Sequence, residues 1–245
     1  MVPTFRSKDG LFSEGGKEMF FHTSTPTEEM QQSRKLGELA EKMIHAVPTP
    51  FHHILADLSE RGKLHRLYTQ NIGELDTCFE YLKADLYEKA CFQKVANPHI
   101  WTIQLHGGMR TTRCHIAGHI DQLNPQALIN GRQETLLCAP CSIRSAEQAR
   151  KRRKRRKRMG LGLGIKEANI VMYNKNPNDN KSERDTGFIQ YDADKVPVDL
   201  VIVCGTGATL VGIKDLIKTM STNRASLWIN TEEPPKIPGF TFTHK

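Results

Sequence analysis

The sequence predicts an α/β fold, a Rossmann-like parallel sheet carrying a small discontinuous second module, and three observations predict it. Val198 to Cys204 is an apolar run interrupted only by Asp199, the pattern of a strand buried on both faces of a parallel sheet. Short apolar, β-branched stretches at 64–68 and 100–103 are each followed by a polar group. These groups are Thr69-Gln70-Asn71-Ile72-Gly73-Glu74-Leu75-Asp76 and Leu105-His106-Gly107. Polar amides and a histidine at the carboxyl ends of neighbouring strands are where an open α/β sheet binds and works on a ligand. Between 110 and 165 the alternation breaks into cysteine, histidine, glycine and basic residues, which marks an inserted module.

Taken in order, residues 12–24 read as a loop of Gly, Ser and Thr. Thr25-Pro26-Thr27-Glu28 is a helix start, with Thr25 at the N-cap, Pro26 in the first helical position and Glu28 closing a capping box. Leu36, Leu39, Ala40, Met43, Ile44 and Val47 recur at helical spacing, so 26–47 is an amphipathic helix whose stripe faces the core. Pro48 and Pro50 end it, and Phe51 to Arg61 is a second helix stopped by Gly62. Strands are expected at 64–68, 99–104, 169–173, 198–204 and 226–229, with a helix at 209–220. Residues 174–187 read as a long polar loop.

At 245 residues the chain can bury a large core with a small module beside it. A hydrophobic content of 38% and a charged content of 25% are those of an ordinary soluble domain. No apolar stretch reaches the length of a membrane span, and the polar start has no signal-peptide core. The formal charge of +8 is local: Arg150–Arg158 is an uninterrupted basic run worth +9, which leaves the remainder at −1. The body of the chain is therefore no general nucleic-acid binder. The run itself reads as a nuclear import signal or a nucleic-acid phosphate contact, or as a solvated loop without a partner.

Six cysteines, two of them spaced as Cys138-Ala139-Pro140-Cys141, suit a metal site in a reducing compartment better than a disulfide framework. Tetrahedral zinc is built from two close pairs of soft ligands. The second pair is incomplete, reading Cys114-His115-Ile116-Ala117. His119 or His115 would have to complete the set, the alternative being an empty or weakly filled site. His106 titrates near neutral pH and suits a general base.

The succession Pro3-Thr4-Phe5-Arg6, Thr69-Gln70-Asn71-Ile72, Leu105-His106-Gly107, the cysteine cluster, Val201-Ile202-Val203-Cys204-Gly205-Thr206 and Trp228-Ile229-Asn230 resembles the sirtuins, the NAD-dependent protein deacylases. The basic run and Ile170-Val171-Met172-Tyr173-Asn174 are most similar to the fungal, histone-directed branch. The resemblance implies a sirtuin-type domain over 1–245. Its Rossmann-like parts would be 1–20, 62–109 and 166–245, and its small module would combine a helical part, 21–61, with a zinc region, 110–165. It implies deacetylation of protein lysines, histones above all, in the nucleus, with nicotinamide and O-acetyl-ADP-ribose as products.

By the same resemblance His106 is the catalytic base, and Phe5, Arg6, Gln70, Asn71, Gly205, Thr206 and Asn230 contact NAD. Cys114, Cys138 and Cys141 hold a structural zinc, with His119 taken as the fourth ligand in place of the missing cysteine and partial occupancy as the alternative. The sequence departs from the family at Thr4, at Gly73 in place of an Asp that holds the nicotinamide amide, at Ala117 in place of a Cys, and at Gly207 in place of a Ser. The strand and Gly-Ala-Gly loop that precede Pro-x-Phe-Arg in sirtuins, and the closing strand and helix, are expected to be missing from this chain. Slow turnover, or a chromatin-binding protein that has lost catalysis, is the alternative expectation.

Overall fold

A computed structural model describes residues 20, 25–83, 102–130, 137–153, 164–170, 192–194, 197–209 and 211–245. The chain forms two compact units. One comprises Met1–Glu88 and His99–Lys181, the other Lys89–Pro98 and Ser182–Lys245.

The first unit begins with α1, Pro26–Ile44. Thr25 caps it by accepting the Glu28 N–H through its hydroxyl, and Glu28 and Glu29 in the first turn face the positive end of the helix dipole. Leu36, Leu39, Ala40 and Met43 form the buried stripe, packed with Met109, Leu123 and Leu128. The helix stops three residues earlier than its apolar spacing predicts, and Val47 is 78% exposed. Pro48 is the cause, because it disfavours helical geometry in the residue before it. The second helix, α2, spans Pro50–Glu60 and ends at Gly62 with φ +64. Strand β1 (Leu67–Thr69) then pairs in parallel with β2 (Thr102–Gln104), Thr69 lying opposite Gln104.

Strand β3 (Gly107–Cys114) leaves β2 through a two-residue turn and pairs antiparallel with both β4 (Ile120–Gln122) and β5 (Lys166–Ile170). A short helix, α3 (Pro125–Ile129), packs on α1. A Cβ at Gly37 would lie 2.8 Å from the Pro125 carbonyl oxygen, so the missing side chain sets that close approach. Helix α4 runs Ala139–Arg153. The strand expected at 169–173 in the parallel sheet is β5, found three residues earlier and in the antiparallel sheet. Its alternating burial fits a strand covered on one face, and the fully buried Asn169 donates to Thr111 Oγ1 of β3 at 2.9 Å.

In the second unit β6 (Leu200–Cys204) and β7 (Ala225–Ile229) are parallel and in full register, connected through α5 (Val211–Ser221). Ile217 of α5 packs with Trp228, Ile237 and Phe242. The apolar run of β6 is not buried on both faces: Leu200, Ile202 and Ile229 are exposed, because β6 and β7 form a two-stranded sheet covered by this cluster on one side. The parallel pairing read from the sequence is thus present twice, once in each unit. Among the described residues no helix is long and apolar enough to cross a membrane.

Candidate functional site

At the carboxyl ends of β1 and β2, Gln70 and Asn71 follow one strand and Leu105-His106 the other. Leu105 N–H donates to the Thr69 carbonyl at 2.9 Å, and Met109 N–H donates to the Ile72 carbonyl at the same distance. The Thr69 hydroxyl accepts the Asn71 N–H at 3.1 Å, which turns the chain directly after β1. His106 occupies the turn between β2 and β3 and is half-buried. Burial lowers its pKa below the usual 6.5, so the imidazole is neutral and able to accept a proton at physiological pH. Gly107 follows at φ +77, where a Cβ would overlap the Asn169 carbonyl.

Two buried carboxylates that the sequence reading did not single out follow the Gln70–Asn71 loop, and the first lies against this turn. Glu74 is fully buried and accepts the Arg110 N–H, and its pKa is raised by burial against the opposing effect of Arg110. The Gln104 side chain lies beside the same carboxylate, yet neither of its amide atoms completes a hydrogen bond. Asp76 is also buried, with a pKa raised by burial, and lies 3.6 Å from His52 Nε2. His52 Nδ1 in turn accepts the Thr49 N–H at the start of α2. The available signal for Glu74 was its place in a motif directly after a glycine, opposite the paired glycines 107 and 108.

In the second unit Gly205, Thr206 and Asn230 lie at the carboxyl ends of β6 and β7. Gly205 adopts φ +64 and donates its N–H to the Ile229 carbonyl at 3.2 Å, and a Cβ there would meet nothing within 4 Å. The Thr206 hydroxyl accepts the Ala208 N–H at 3.0 Å. Asn230 donates its amide to the Thr206 carbonyl at 2.6 Å and accepts the Thr231 N–H at 2.8 Å, so its side chain braces the two strand ends together. Phe5 and Arg6 lie outside the described residues, as do 154–158 of the basic run; Arg150 to Arg153 form the last turn of α4.

The four sulfur and nitrogen ligands meet. Atoms of Cys114, His119, Cys138 and Cys141 all lie within 4.8 Å of one another. Cys114 Sγ is 3.6 Å from Cys141 Sγ, and His119 Nδ1 is 3.3 Å from Cys138 Sγ and 3.6 Å from Cys141 Sγ. With zinc–sulfur bonds of about 2.3 Å, a tetrahedron has sulfur–sulfur edges of about 3.8 Å, so the spacing fits one zinc ion. His119 is brought there by a tight turn in which Cys114 N–H donates to the His119 carbonyl at 2.8 Å. His115 faces away and accepts the Ile165 N–H at 3.0 Å instead. Ala117 packs against the cluster as an apolar neighbour.

Burial and the neighbouring Cys114 and Cys138 push the Cys141 thiol up to about 12. A bound cation favours the thiolate and opposes that upward shift of Cys141. Gly164 is a further requirement that the sequence reading missed: a Cβ there would lie 2.6 Å from Cys114 Sγ and 3.0 Å from Cys141 Sγ.

Two parallel strand pairs with amides, a half-buried histidine and glycine turns at their carboxyl ends, in a chain whose Cys3His cluster fits one metal ion beside an antiparallel sheet, describe an α/β protein with a metal-binding knuckle. The Sir2 family model matches residues 1–211, and the chain belongs to that family. It is 31% identical to the NAD-dependent protein deacetylase hst4 of Emericella nidulans, covering 95% of this chain and 40% of that protein. It is 28% identical to the NAD-dependent histone deacetylase HST4 of Saccharomyces cerevisiae, covering 96% and 64%. The chain therefore spans about half the length of these relatives. Among solved structures it is similar to a Sir2 homologue in complex with NAD, with a TM-score of 0.58 and 20% identity over 99% of this chain and 77% of that one. That likeness establishes the fold.

Proposed function

We propose that this domain is an NAD-dependent protein-lysine deacetylase acting on acetylated histones in the nucleus. The observation that carries the reading is His106, a half-buried imidazole kept neutral at the end of β2 beside the Gln70–Asn71 loop. Relatives named as NAD-dependent histone deacetylases support the substrate and the compartment. NAD, when bound, supplies the ribose carbon that receives the acetyl oxygen as nicotinamide leaves.

The chain's own residues do the rest. His106 takes the proton from the ribose hydroxyl, and its desolvated setting keeps it in the basic form. Gln70 and Asn71 supply the amide donors and acceptors that orient the nicotinamide ribose. Gly205, with open space above its backbone, and Thr206 receive phosphate and ribose, while Asn230 holds their two strand ends in register and contacts the adenosine ribose. Phe5 and Arg6 complete this set by family position. Cys114, His119, Cys138 and Cys141 hold zinc in a structural role. Residues 21–61 and 110–165 act as one module, supported by the core that α1 shares with Leu123 and Leu128. The run Arg150–Arg158 serves an import receptor or nucleic acid.

The test is NAD-dependent release of nicotinamide from an acetylated histone peptide by the full chain, compared with acetylated non-histone peptides. Absence of NAD-dependent turnover would remove the deacetylase reading, and equal rates on all peptides would remove the histone preference. Replacing Arg152, Arg153, Arg155 and Arg156 with Gln should leave a fluorescent fusion in the cytoplasm; unchanged nuclear accumulation would discard the role given to the run.

A further inference from the structure

Glu74 is a buried ionisable group for which the proposed chemistry has no use. It is fully buried and stands at φ +55, in the left-handed region that a residue with a Cβ rarely adopts. Three contacts tie the 69–74 loop to the His106 turn. The first two are backbone rungs, Leu105 N–H to the Thr69 carbonyl and Met109 N–H to the Ile72 carbonyl. The third is different: Arg110 N–H donates to the Glu74 carboxylate. At Glu74 the chain turns away into the 3-10 turn Leu75–Cys78, so the side chain supplies an acceptor where the next carbonyl would have stood. Room for it exists only because residue 108 is glycine, since a Cβ there would overlap the carboxylate. One carboxylate oxygen, Oε1, has no hydrogen-bond partner. A buried charge left half-paired costs stability, and a neutral apolar side chain would fill the same space without that cost.

We propose that Glu74 is a positioning residue for His106, its carboxylate fixing the 105–110 turn against the Gln70–Asn71 loop through the Arg110 N–H and the bare backbone of Gly108. The inference rests on His106 being the base. Its test therefore reads the histidine directly, and activity only second. In the full chain, with histidines carbon-13 labelled and His106 assigned from the His106→Ala spectrum, the titration of His106 is followed in wild type, Glu74→Gln, Glu74→Asp and Glu74→Ala.

Gln keeps the length and the acceptor, Asp withdraws the acceptor by one methylene, and Ala removes it; all three keep a Cβ at the strained backbone position. The Asp and Ala variants should move the His106 titration upward toward 6.5, as the turn loosens and water reaches the ring. In both, kcat should fall by about tenfold to 100-fold, with the KM values for peptide and NAD within about threefold of wild type. Gln should restore the wild-type titration and most of kcat. An unchanged His106 titration in Glu74→Ala overturns the proposal, as does a shift in Glu74→Gln as large as that in Ala. Should Glu74→Ala fail to fold, Glu74→Asp decides in the same way. If wild type shows no NAD-dependent turnover, the deacetylase reading falls while the histidine titrations still decide this one.

Discussion

The carboxyl ends of the two parallel strand pairs solve opposite problems. At β1–β2 the chain folds over itself: Thr69, Gln104, Glu74 and Asp76 are buried, and His106 is half-buried in the turn after β2. At β6–β7 it opens: Gly205 is exposed with nothing near its missing side chain, and the Asn230 amide donates to the Thr206 carbonyl across the two strand ends. Proton chemistry needs a place where water does not level pKa values, and the first end has that property. Close approach of a ligand to backbone needs space and glycine geometry, and the second end has those. The difference teaches that similar sequence cues, an apolar run followed by small and polar residues, give a closed corner in one unit and an open ledge in the other, which the proposed function uses for proton transfer and for receiving the nucleotide.

The comparison breaks most sharply at His106. His106→Ala should lower deacetylation by about 100-fold or more, while calorimetry finds NAD affinity within a few fold of wild type; retention of a tenth of the activity would remove the reactive corner. The metal cluster tests which end depends on it. Cys114 closes the strand that opens at Gly107, next to His106, so metal loss should reach the first end and not the second. Metal analysis should find one zinc per chain, and His119→Ala should release it and lower the unfolding temperature. Tight retention of zinc by His119→Ala would assign the fourth ligand elsewhere.

A smaller effect belongs to the ledge. Gly205→Val forces a β-branched residue to φ +64 and closes the open space, so NAD affinity should fall while His106 titrates as before. An unchanged affinity would show that the ledge carries no nucleotide. The smallest effects concern pH. Because burial lowers the His106 pKa, the acid limb of the rate profile should lie below 6.5. Glu74 has the opposite sign. Its raised pKa means that its favourable contribution is present below 4.5 and is lost as pH rises through the folded-state value. Glu74→Gln should therefore raise the unfolding temperature at pH 7.5 and flatten that dependence; a lower unfolding temperature would show that the charge stabilises the corner.

Local signals in the chain were legible where they are decided locally. The Thr25 cap, the Leu36–Met43 stripe and the Gly62 stop follow from neighbours a few residues away. The sulfur pair at Cys138 and Cys141 was equally plain. What escaped depends on contacts distant in sequence. The pairing of β5 with β3 joins residues more than fifty apart, and its half-buried alternation resembles that of any edge strand. The choice of His119 over His115 was set by a turn whose Gly118 adopts φ +65, and both histidines looked equivalent in the sequence. Glu74 reads as an exposed turn residue until Gly108 is placed beneath it.

The contact of Gly164 with the sulfur cluster has a consequence in polymer terms. Cys138 N–H donates to the Gly164 carbonyl at 2.8 Å, so the chain that departs along α4 is back at its starting point within 26 residues. The segment that carries the nine basic residues is therefore closed at its two ends by that hydrogen bond and by the adjacent Leu137–Ile165 bridge. Closing a loop of that size costs about 3 kcal/mol of chain entropy, and the closure must hold against it together with the mutual repulsion of the cations.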